Sequence, residues 1–93
     1  MAQPESVIVM IENKLGLHAR PAMLFVETAG RFNCDVTVRR VDQDEVVDGK
    51  SIMQMMMLAA TCGTKLEICA DGSDATAALK SLAELIKSRF QED

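Results

Sequence analysis

The chain has 93 residues, of which 48% are apolar and 26% charged, with a formal net charge of −4. That length suits one hydrophobic core held without metal or disulfide, so a single domain over residues 1–93 is expected. An acidic balance and the lack of Trp and Tyr exclude a general nucleic-acid binder, which needs a basic face or aromatic platforms for bases. No apolar run approaches the roughly 20 residues of a bilayer span, and Met1 to Ser6 has neither the basic start nor the apolar middle of a signal peptide. No membrane contact and a cytoplasmic location are expected. Cys34, Cys62 and Cys69 form no C-x-x-C pair and have no second histidine nearby, so they read as reduced side chains in or near the core, and no metal site is expected.

Ser6 to Glu12 reads as a strand, and its near-continuous apolar run predicts a central position in the sheet. Asn13-Lys14-Leu15-Gly16 connects it to a helix over Ala19 to Ala29, with Ala19, Ala22, Met23, Val26 and Ala29 on one face and Gly30 as a left-handed C-cap. Cys34 to Arg40 alternates as a half-buried strand, with Cys34, Val36 and Val38 inward. A polar connection, Val41 to Asp44, leads to a short strand at Glu45 to Val47, and the two pair as a hairpin. Ser51 opens a short methionine-rich helix, with Gln54 completing a Ser-x-x-Gln capping box. Thr64 to Ala70 alternates again, Asp71-Gly72 turns the chain, and Ser73-Asp74 opens a last helix with the stripe Ala75, Ala78, Leu79, Leu82 and Ile86. The order βαββαβα implies an α+β open-faced sandwich: a four-stranded, mostly antiparallel sheet with three helices on one face.

Chemistry gathers at Gly16-Leu17-His18-Ala19-Arg20-Pro21-Ala22. His18 is the one histidine of the chain and stands where strand gives way to helix. The first amides of a helix lack intrahelical partners and carry the positive end of its dipole, so an anion on His18 meets donors already aimed at it. Arg20 adds a fixed cation whose fork suits phosphate oxygens. Pro21 gives up only an N–H that needed no partner. Neutral imidazole is a nucleophile, so the turn is able to receive a phosphoryl group and hand it on. It has no glycine-rich nucleotide loop, acidic dyad or other machinery to activate a nucleotide, and no cofactor is expected. Ser51 has a structural role as an N-cap, yet a phosphate there would sit at a helix start. Met53, Met55, Met56 and Met57 cannot all face inward from so short a helix, and those left outside form a soft apolar patch suited to several partners.

The run Gly16 to Ala22, followed by Lys50-Ser51-Ile52-Met53 and more methionines, resembles the histidine-containing phosphocarrier family HPr of the bacterial phosphotransferase system. The likeness spans Ser6 to Phe90. It implies the βαββαβα open-faced sandwich, a phosphohistidine at His18 loaded by enzyme I and discharged to sugar-specific acceptor proteins, and Arg20 steadying the phosphate and touching partners. It also implies that Ser51 is the serine modified by HPr kinase/phosphorylase, and that Ile52, Met53 and Met56 form the docking surface. The chain would then be a monomeric carrier, itself a substrate and not an enzyme. Three positions depart from the family pattern: the longer hairpin at Val41 to Asp44, Gln54 and Met57 in place of smaller residues, and Cys62 in a loop that usually lacks cysteine. The alternative is a regulatory relative acting through Ser51 and the docking surface, with sugar transport secondary. A retained His18 favours the carrier. A small phosphatase is the third class, and its anion loop is not visible.

Overall fold

A computed structural model describes residues 4–91 of the chain. Within them run the strands β1 (Glu5–Met10), β2 (Cys34–Arg40), β3 (Val46–Asp48) and β4 (Lys65–Gly72), the helices α1 (Ala19–Ala29), α2 (Ile52–Met57) and α3 (Ala75–Lys87), and a closing 3-10 turn at Arg89–Gln91. The sheet order is β1-β4-β2-β3, and every pairing among these strands is antiparallel. This is the α+β open-faced sandwich that the pattern of elements implied.

Cross-strand register shows how alternation makes one dry face and one wet one. Val7, Ile68, Val38 and Val47 lie in one row across all four strands, on the helix side. The next row, Ile8, Glu67, Arg39 and Val46, lies on the open side, where Arg39 Nη2 pairs with Glu67 Oε1 at 2.8 Å. The stripe Ala75, Ala78, Leu79, Leu82 and Ile86 of α3 is buried in full against the dry face.

Several expectations require correction. β1 is an edge strand and not a central one: it pairs only with β4, and its Ile8 is 58% exposed. An apolar run normally signals cover on both faces, but here the helices cover one face alone, so Ile8 and Met10 remain in water. On α1 the buried residues are Pro21, Ala22, Phe25 and Ala29, whereas Ala19 and Met23 are exposed. Phe25 is the largest apolar side chain of the helix and takes the central core position, which turns the stripe away from Met23. Gly30 ends α1 in right-handed geometry (φ −66°, ψ −14°), and its N–H bonds to Val26 O, so no left-handed cap forms. Asp71 and Gly72 continue β4 opposite Asp35 and Cys34 before the chain turns. Cys34 is buried, but Cys62 is exposed in the loop before β4, its Sγ 3.7 Å from Glu12 O.

Candidate functional site

The approach to His18 is fixed by backbone bonds to the segment after α2. Ile11 N–H donates to Thr64 O, Gly63 N–H donates to Ile11 O, and Leu17 N–H donates to Ala60 O, each at 2.8 Å. Gly16 makes this close approach possible. It holds φ +71°, and a Cβ on it would stand 2.5 Å from Ala60 O. Asn13, fully buried, donates from Nδ2 to Gly16 O at 2.7 Å, while Gly16 N–H donates to Asn13 O at 3.1 Å. The turn is therefore closed on itself and fastened to its neighbour.

His18 is the N-cap of α1, extended at φ −82° and ψ −170°, and its carbonyl accepts from Ala22 N–H at 3.0 Å. Its side chain is half-buried and does not cap the helix. Pro21 and Ala22 are buried and anchor the first turn, with Arg20 exposed beside them. The arrangement presents an imidazole at the positive end of an eleven-residue helix, with a guanidinium in the same turn. Such a site can hold an anion covalently and shed it again to another nucleophile.

α2 begins at Ser51, whose Oγ accepts from Gln54 N–H at 3.3 Å. The reciprocal half of the capping box does not form. Gln54 Oε1 instead accepts from Asp48 N–H at 2.9 Å, because Ser51 N–H is already donated to Asp48 O. Of the helix's methionines only Met55 is buried, while Met53 is 76% and Met57 66% exposed, and Ile52 and Met56 are also exposed. Two hydrogen bonds set α1 and α2 head to tail. Leu17 N–H to Ala60 O ties the start of α1 to the end of α2, and Lys50 Nζ donates to Phe32 O at 3.0 Å, tying the start of α2 to the end of α1. Ser51 thus lies toward the far end of α1 from His18, a helix that is about 16 Å long.

Two groups outside this turn have shifted titration. Burial pushes the Cys34 thiol up, with Asp74 and Asp35 adding to it and Lys50 opposing. A hydrogen bond from Arg40 holds the Asp42 carboxyl below the usual carboxylate range. No group of three or more His, Cys, Asp and Glu among the described residues could hold a metal ion, and no helix there is long and apolar enough to cross a membrane.

Sequence reasoning missed two residues at this surface and one beneath it. Leu15 is 71% exposed in the turn before His18, and Met23 is exposed on α1, so both add apolar area on the elements that carry the candidate residues. Asn13 lies buried beneath the turn, at a position the sequence pattern marks only as a connection.

The chain was compared with known proteins and structures. A family profile described as "PTS HPr component phosphorylation site" matches residues 6–88. Phosphocarrier protein HPr of Pseudomonas aeruginosa is 52% identical over 84 residues, which cover 90% of this chain and 92% of that protein. Among solved structures, HPr-C-His of Thermoanaerobacter tengcongensis superposes with a TM-score of 0.89 at 42% identity, covering 96% of this chain and 98% of that one. A phosphocarrier protein HPr of Bacillus anthracis gives 0.82 at 40% identity, covering 89% and 96%.

Proposed function

The chain belongs to the HPr family of phosphocarriers of the phosphotransferase system, and from that premise we propose that it accepts a phosphoryl group on His18 from phosphorylated enzyme I and passes it to sugar-specific acceptor proteins. The observation that supports this most is the placing of the chain's one histidine as the N-cap of α1, half-exposed, on a turn fastened at both sides. In the loading step the Nδ1 lone pair forms the bond to phosphorus as the bond to the donor breaks, its electron pair staying with the donor. Unloading is the same step with His18 as the leaving group. The first amides of α1 and Arg20 carry the charge of the bound phosphoryl group in both directions. Ile52, Met53 and Met56 dock the partner, and Arg20 contributes at its rim.

Incubation with phosphoenolpyruvate and enzyme I tests the reading. Wild type gains an acid-labile phosphoryl group and His18→Ala gains none; an unmodified wild type, or a modified His18→Ala, sinks the proposal. Arg20→Ala slows transfer by roughly ten- to a hundredfold, the weight of a charge-assisted hydrogen bond of about 1.5–3 kcal/mol.

Ser51 is the regulatory position in this reading, modified by an HPr kinase/phosphorylase at the expense of ATP. With that kinase, wild type takes up an acid-stable phosphate that Ser51→Ala does not, and the phosphoserine form accepts from enzyme I more slowly. A protein that takes phosphate at Ser51 and none at His18 would belong instead to a regulatory branch.

A further inference from the structure

We propose that Asn13 is a positioning residue for phosphoryl transfer, its buried amide setting the turn that aims His18. The proposal rests on His18 being the acceptor. Asn13 has none of its surface exposed, and its Nδ2 donates to Gly16 O over 2.7 Å. The orientation of the amide follows from chemistry, since a carbonyl only accepts and the nitrogen must face it. Gly16 N–H closes the same turn on Asn13 O, and the turn lies so close to the segment after α2 that a Cβ on Gly16 would stand 2.5 Å from Ala60 O and 2.8 Å from Thr61 Cα. Leu17, the next residue, is buried and bonded to Ala60 O. The backbone therefore enters His18 from a peptide plane held on one side by Asn13 and on the other by the segment 60–61. A loop without that bond reaches the same place only as one member of an ensemble, and a transferring group is sensitive to misplacement of that kind. The alternative, that Asn13 only fills space, predicts a loss of stability without a change in the chemical step.

The test compares wild type, Asn13→Ala and Asn13→Asp with phosphoenolpyruvate and enzyme I, at a temperature where each keeps its far-ultraviolet spectrum. Leu82→Ala, a core truncation far in sequence from the turn, serves as a control for stability alone. Expected are a kcat of enzyme I lowered by roughly ten- to a hundredfold with either Asn13 variant as its substrate, the KM for the variant staying close to that for wild type, and a normal kcat with Leu82→Ala. If wild type is not phosphorylated, the carrier reading fails. If wild type is phosphorylated and enzyme I shows the same kcat with the Asn13 variants, the positioning role is overturned while the carrier reading stands. Should neither Asn13 variant fold, amide exchange in the wild type decides: Gly16 and Leu17 N–H are expected to be protected like the strand amides, and exchange at the rate of an open loop overturns the proposal.

Discussion

Gly16 and Gly72 occupy backbone positions that a side chain would spoil, and both serve long-range contacts. Gly72 has φ +149°, and a Cβ on it would meet Cys34 Cα at 2.6 Å. Gly16→Ala is expected to lower stability by about 1–3 kcal/mol through strain and the clash with Ala60 O, read as a lower urea midpoint. The cysteines give a second prediction at this scale. A disulfide reagent at mildly alkaline pH should label Cys62 first, whereas buried Cys34, its thiol held protonated by its surroundings, reacts only after denaturant is added; equal rates would contradict the burial. The place of His18 at the start of α1 was legible in the sequence because one histidine stood at the boundary between two periodicities. Asn13 was not, since its burial is produced by a segment almost fifty residues later closing over the turn.

For the elements, α2 has a single side-chain cap and few turns to share the loss of it. Ser51→Ala removes the bond to Gln54 N–H and is expected to cost about 1 kcal/mol. Ser51→Asp keeps the acceptor and should recover most of that. The other end of α2 is held by Arg40, whose Nη1 donates to Leu58 O at 3.3 Å while its Nη2 meets Asp42 Oδ2 at 3.0 Å. The Asp42 carboxyl titrates below its unfolded value, so its contribution stands at neutral pH and disappears as pH falls through that lowered value. Wild type should therefore exceed Asp42→Asn in thermal midpoint at pH 7, with the gap closing as the solution is made progressively more acid. The bounds of α1 and β2 were readable from alternation and helical spacing. The place of β1 was not, because an apolar strand looks alike whether both faces are covered or one face is left open.

Over the whole molecule, one core ties the described sheet and helices together, and we propose that the chain unfolds as one unit. Heating should give a single transition with equal calorimetric and van't Hoff enthalpies; a second transition would refute it. Phe90 is part of that core at 1% exposure, although Arg89, Phe90 and Gln91 all hold left-handed backbone angles. Phe90→Ala is expected to lose less than the usual 3–5 kcal/mol of a buried aromatic, since those angles cost roughly 1–2 kcal/mol per residue and relax once the ring is gone. The layered architecture was legible because periodicity alone ordered the strands and helices. The closing turn was not, for nothing in Arg-Phe-Gln favours left-handed geometry locally; only the pocket that receives the ring explains it.

The head-to-tail setting of α1 and α2 by Leu17 with Ala60 and Lys50 with Phe32 has a combinatorial consequence. In the proposed reading the two acceptors, His18 and Ser51, are set toward opposite ends of α1, so a phosphate on one leaves the other vacant. On that reading the chain would have four covalent forms instead of three, and a partner that spans both ends would read two bits where a partner seated at one end reads only one.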